Sequence, residues 1–160
     1  MSDAPVDDPP ALGWHRELVA LYERRYDHLV RLAYLLTGRA AEAEEIVQDA
    51  FVAARRSWSG VRDPYPYLRS AVANRCRSWG RRQVLERERR PRPAEPAELV
   101  ADEMWDALAT LPERQRTAIV LRYWADLPDA EIAEVLGCRP ATVRTTLHRG
   151  IAALREVVDR

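Results

Sequence analysis

The sequence specifies an all-α fold of two small helical domains. Three observations carry this. Apolar residues recur every three or four positions along most of the chain. Glycines and prolines interrupt those runs at helix-length intervals. A stretch rich in proline and charge divides the runs into two groups. A length of 160 residues allows one domain or two small ones. At 47% hydrophobic the chain can bury cores, which excludes wholesale disorder.

The first 13 residues, MSDAPVDDPPALG, are acidic and proline-rich and read as a frayed tail. From Trp14 to Leu36, Leu18, Leu21, Tyr22, Leu29, Leu32, Ala33 and Leu36 keep helical spacing, and Thr37-Gly38 ends the run. A second helix spans about Ala40 to Trp58, with the stripe Ala43, Ile46, Val47, Ala50, Phe51 and Ala54. Its early acids Glu42, Glu44 and Glu45 suit either the helix dipole or a partner, and the residues alone leave both open. Ser59 to Pro66 reads as a loop. A third helix runs from near Pro66 to about Arg82, burying Leu68, Ala71, Val72, Cys76 and Trp79. Tyr65 and Tyr67 at its start and the arginines along it fit either core packing with a solvated face, or bases stacked on rings beside a cationic track.

Residues 84–101 form the linker, because Pro91, Pro93 and Pro96 forbid a continuous helix. The domains are therefore 14–83 and 102–160, joined flexibly. A short helix follows from Asp102 to Leu111, and Pro112 opens another carrying Ala118, Ile119, Leu121 and Trp124 inward.

Leu127 to Gly150 carries the strongest local signal, a helix-turn-helix. Asp129 is placed to cap the first helix. Ile132, Ala133, Val135 and Leu136 give that helix one apolar face, with Ala133 small where the helices cross. Gly137 marks the reversal, and Pro140 opens the second helix. Val143, Leu147, Ile151, Leu154 and Val158 bury one side of it. Arg139, Thr142, Arg144, Thr145, His148 and Arg149 lie on the other. No acid occurs between Arg139 and Arg155, so these arginines lack a local counter-charge. That pattern suits a helix in the DNA major groove.

The chain balances 25 basic against 25 acidic residues, and every base is arginine. The charge is unevenly spread: residues 69–92 are net +7 and residues 93–106 net −5, which implies separate faces or partners. Cys76 and Cys138 form no metal-spaced cluster, so neither zinc site nor disulfide is expected, and no cofactor. No signal peptide or bilayer-length apolar run occurs, which gives a cytoplasmic protein without membrane insertion.

Three stretches together resemble the small extracytoplasmic-function sigma factors of the sigma-70 family, close to a short actinobacterial group. They are EAEEIVQDAFVAARRSW (Glu42 to Trp58), PYLRSAVANRCRSWGRR (Pro66 to Arg82) and Leu111 to Arg155. The resemblance implies sigma region 2 in the first domain and region 4 in the second. It implies binding to core RNA polymerase, at its clamp helices and flap, and to promoter DNA. An anti-sigma protein is a further partner the family often has. Glu45, Gln48, Asp49 and Phe51 fall at the polymerase-gripping positions. Arg62, Tyr65, Tyr67, Arg69, Asn74, Arg77 and Arg81 fall at the −10 element, with the loop Ser59 to Pro66 where the family captures a flipped base. Arg139, Thr142, Arg144, Thr145, His148 and Arg149 fall at the −35 element.

The chain departs from the family at three places. Thr146 stands where Arg or Lys is frequent, implying a smaller −35 contact set or another −35 sequence. Tyr67 stands for Trp, and Ser78 for Asp, which bears on −10 preference. The competing reading is a two-domain helix-turn-helix regulator of duplex DNA that never touches polymerase. An enzyme is disfavoured: His15, His28 and His148 sit in no carboxylate cluster, and no phosphate loop or nucleophile motif is present.

Overall fold

A computed structural model describes residues 13–89 and 102–159, and every regular element among them is helical. The order is α1 (Gly13–Thr37), α2 (Ala40–Ser57), a single 3₁₀ turn (Trp58–Gly60), α3 (Pro64–Arg89), α4 (Glu103–Ala109), α5 (Glu113–Tyr123), α6 (Asp129–Leu136) and α7 (Pro140–Val158). The expected N-terminal tail before Gly13 and the expected linker from residue 90 to 101 lie outside the described residues.

Helices α1 to α3 pack on one another as one group. Leu29, Leu32, Leu35, Val47, Leu68 and Val72 are fully buried between them. Gly38 makes the α1–α2 turn possible. It adopts φ +71, and its N–H donates to Tyr34 O at 2.7 Å, a backbone conformation costly for residues with a Cβ. Helices α4 to α7 form the second group around Leu121, Leu127, Ile132 and Val143.

Three local expectations are corrected. First, α3 begins at Pro64, so the loop after the 3₁₀ turn is only Val61 to Asp63. Both prolines fall in the first turn, where backbone N–H groups have no intrahelical acceptor anyway. Second, α3 continues through Val84 to Arg89, so the expected linker at 84–101 starts too early. Residues 84–89 are good helix formers, and the first proline after them is Pro91. Third, Asp129 does not cap α6. Pro128 holds the cap position, and Asp129 is the first helical residue. Its carboxylate pairs with Arg122 and lies 3.6 Å from Arg144 Nε.

The two groups share one continuous apolar core. Trp105 of α4, 9% exposed, sits at the seam, and its ring packs so closely on Gly38 that a Cβ there would collide with it. Across the same seam His28 stacks on Trp124 (ring centroids 5.1 Å, 10° between planes), and Trp124 Nε1 donates to His28 O at 3.3 Å. Ser70 Oγ donates to Glu131 Oε2 at 3.2 Å, joining α3 to α6.

Candidate nucleic-acid interface

The helix-turn-helix forms as its residues dictate. Gly137 ends α6 with φ +61, its N–H reaching back to Ala133 and Glu134 carbonyls. Cys138 N–H follows to Ala133 O at 2.9 Å, which completes a left-handed helix ending. Arg139 is extended at the cap of α7, and Pro140 starts that helix. Val143, Thr146 and Leu147 turn inward, while Arg139, Thr142, Arg144, Thr145, His148 and Arg149 are all exposed. The structure therefore gathers the six residues expected at the −35 element on the solvent side of α7 and its cap.

Two details of that side differ from expectation. Arg144 does have a counter-charge, Asp129 of the preceding helix. Thr146 is buried and donates its hydroxyl to Thr142 O at 2.8 Å. The missing cation at that position therefore does not thin the exposed face of α7.

On α3 the −10 set divides between two faces. Tyr67, Asn74 and Arg81 are exposed and spaced by seven, so they line one stripe, with Ser78 beside them. Arg62 is exposed just ahead of the helix. Tyr65, Arg69 and Arg77 are half-buried. Two cations lie over the Tyr65 ring, with Arg25 4.5 Å and Arg69 5.8 Å from its centroid. Arg77 lies against the turn of the helix-turn-helix, where a Cβ on Gly137 would come 3.0 Å from Arg77 Nη2. Periodicity missed this division, because α3 is polar on most of its circumference.

On α2, Glu45, Gln48 and Asp49 are exposed, and Gln48 Nε2 donates to Tyr26 OH at 3.4 Å. Phe51 does not join them. It is 6% exposed and packs edge-on to Tyr22 at 5.1 Å. Its place in the apolar stripe is buried, where it holds α2 on α1. Among the described residues no group of His, Cys, Asp and Glu is placed to hold a metal ion. The Cys76 thiol is buried, which pushes its pKa up to about 12.

Two family models match the chain. The Sigma-70 region 2 model matches residues 21–85, and the Sigma-70, region 4 model matches residues 101–154. The chain is 34% identical over 145 residues to the RNA polymerase sigma-E factor of Streptomyces avermitilis, covering 84% of this chain and 81% of that one. The chain belongs to the sigma-70 family. It is also 30% identical over 159 residues to the ECF RNA polymerase sigma factor SigL of Mycobacterium tuberculosis, with 85% of each covered. This puts it in the extracytoplasmic-function group.

Solved sigma factors share the fold. The sigma factor RpoE of Bartonella quintana, in complex with the anti-sigma factor NepR, superposes with a TM-score of 0.70 at 21% identity, covering 92% of this chain and 98% of that one. SigJ of Mycobacterium tuberculosis superposes at 0.61 with 30% identity, covering 89% of this chain and 57% of that one. In this sigma factor the region 2 match ends within α3, and the region 4 match opens just ahead of α4.

Proposed function

We propose that this sigma factor is a dissociable initiation subunit in which each module has a separate task. Residues 14–89 form the module that binds core RNA polymerase through the exposed side of α2, with Glu45, Gln48 and Asp49 at the contact. The stripe Tyr67, Asn74 and Arg81, with Arg62, meets the opened −10 element. Residues 102–159 form the module that reads the −35 duplex through α7. On that helix Arg144 and Arg149 hold phosphates, and Thr145 and His148 reach base edges. The chain supplies recognition and no catalysis, and it works in the cytoplasm. Its partner classes are core polymerase, promoter DNA and an anti-sigma protein.

The observation that carries this reading is the pairing, in one chain, of two exposed polar faces on different modules. One is a helix-turn-helix recognition face, which suits duplex. The other is an aromatic–polar stripe on α3, which a duplex-only regulator does not need.

The same reading requires the chain to open. The −35 and −10 elements lie some 25 base pairs apart, about 85 Å at 3.4 Å per step. A compact chain of this length has a radius of gyration of only about 15 Å. Modules joined at the Trp105 and Trp124 seam cannot reach both elements, so the closed arrangement is the resting form.

Gel filtration of the chain with purified core RNA polymerase tests the proposal. A stoichiometric complex, weakened by Asp49→Ala, is expected. A chain that shifts duplex DNA but never co-elutes with core polymerase is the duplex-only regulator instead.

A further inference from the structure

A cleft of about 590 Å³ lies between the two modules. Arg77 and Arg81 of α3 and Arg114 and Arg116 of α5 line it, with Trp79 and Trp105 supplying ring surface. Among the described residues, Glu113 is the one carboxylate on its lining. Among the described residues, none of those four arginines forms a salt bridge.

The cluster is under electrostatic stress. Burial, then the like charges of Arg81 and Arg114, pull the Arg77 pKa below its ordinary value. Burial does the same to Arg116. Arg116 Nε is buried without an acceptor, while its guanidinium lies 5.2 Å from the Trp105 ring centroid. Like charges gathered on a half-enclosed surface repel one another and focus a positive field into the cleft. Guanidinium forks match phosphate oxygens two at a time. The volume falls in the range of small-ligand sites, about 300–1,000 Å³.

We propose that the cleft between the modules binds a small polyphosphate anion, held by Arg77, Arg81, Arg114 and Arg116. Both modules supply its walls, so occupancy favours the closed arrangement by mass action. The cleft shares Arg77 and Arg81 with the expected −10 residues, so the test is read on Arg114 and Arg116, which belong to neither DNA-facing set.

Isothermal titration of the full chain with inorganic tripolyphosphate tests it. One ion per chain is expected, with Kd raised about tenfold by Arg114→Gln, the loss of one charge-assisted contact. Arg24→Gln, on the exposed surface of α1, should leave Kd unchanged. Arg114 is itself exposed, so its variant should fold, and circular dichroism checks this. Arg116→Gln should weaken binding in the same way. Absence of saturable binding overturns the proposal. So does binding of several ions per chain, or equal loss in Arg24→Gln. A single-stranded oligonucleotide that saturates the cleft when tripolyphosphate does not would also overturn it.

Discussion

Arg31 of α1 and Asp102 at the head of α4, 71 positions apart, are joined by a two-pronged charge-assisted pair, with Arg31 Nη2 donating to Asp102 Oδ1 at 2.9 Å. The same Oδ1 accepts the backbone N–H groups of Met104 and Trp105 at 3.1 Å. One carboxylate therefore starts the first helix of region 4 and fastens that module to region 2. Arg31 also lies over the Tyr34 and Trp124 rings, at 5.7 and 5.9 Å, so the pair is built into the aromatic seam.

Removing either partner separates the two roles. Asp102→Ala loses the cap, worth about 1 kcal/mol, as well as the fastening. Arg31→Met loses only the fastening, roughly 1–3 kcal/mol for hydrogen bonds between charged groups. Small-angle scattering should show a larger radius of gyration in both variants. Only Asp102→Ala should also lose helix content near α4. An unchanged radius in both would mean that the aromatic contacts alone hold the modules.

The pair also sets a pH window. The hydrogen bonds from Arg31 hold the Asp102 carboxyl below its ordinary 3.8. A lowered folded-state pKa contributes stability that is complete above the unfolded value and is lost as pH falls through the folded one. The radius of gyration should therefore stay constant across neutral and mildly acid pH. It should rise only below about pH 4. Opening at a pH well above 4 would mean that the Arg31–Asp102 pair does not set the window.

Asp49 and Phe51 are neighbours on α2 with opposite expected phenotypes. Asp49→Ala should leave thermal stability within about 0.5 kcal/mol, as surface changes do, and lower core polymerase affinity. Phe51→Ala should cost about 3–5 kcal/mol of stability by opening a cavity. Calorimetry with a polymerase-binding assay distinguishes the two. A Phe51→Ala chain that stays stable yet loses polymerase would restore Phe51 as a contact residue.

On α7, Arg144→Ala should lower the salt slope of −35 duplex binding by no more than about one. Asp129 already neutralises part of that charge, and binding must draw Arg144 away from it. A slope equal to that of the unaltered chain removes Arg144 from the phosphate contacts.

The turn of the helix-turn-helix gives a stability test. Gly137→Ala places a Cβ in a left-handed backbone, at a cost of roughly 1–2 kcal/mol. The nearby Arg77 guanidinium is the far end of a flexible side chain and can give way. The melting temperature should fall by several degrees, about 4–8 °C per kcal/mol in a domain of 60–100 residues. No fall would mean that α6 ends differently.

Much of this molecule could be read from side-chain spacing, for a physical reason. A helix that buries one face must repeat its apolar residues at the helical period, and α1, α2, α6 and α7 do so. The same spacing placed Phe51 in the buried stripe of α2, and it is buried there. Helix α3 was harder to delimit, because its C-terminal part, Gln83 to Arg89, is helical by propensity and nearly all solvated. The division of the −10 residues into an exposed stripe and a half-buried group depends on which side of α3 receives region 4. That is fixed by pairs such as His28 with Trp124 and Arg31 with Asp102. Such pairs join residues 71 to 96 positions apart and leave no periodic trace.

The most direct test is run-off transcription by purified core RNA polymerase, with and without this chain, on genomic fragments that include its own upstream region. The account predicts a discrete start site that requires the chain and is lost in a chain carrying Asp49→Ala. The absence of any chain-dependent start, together with a shift of duplex DNA by the chain alone, would contradict it.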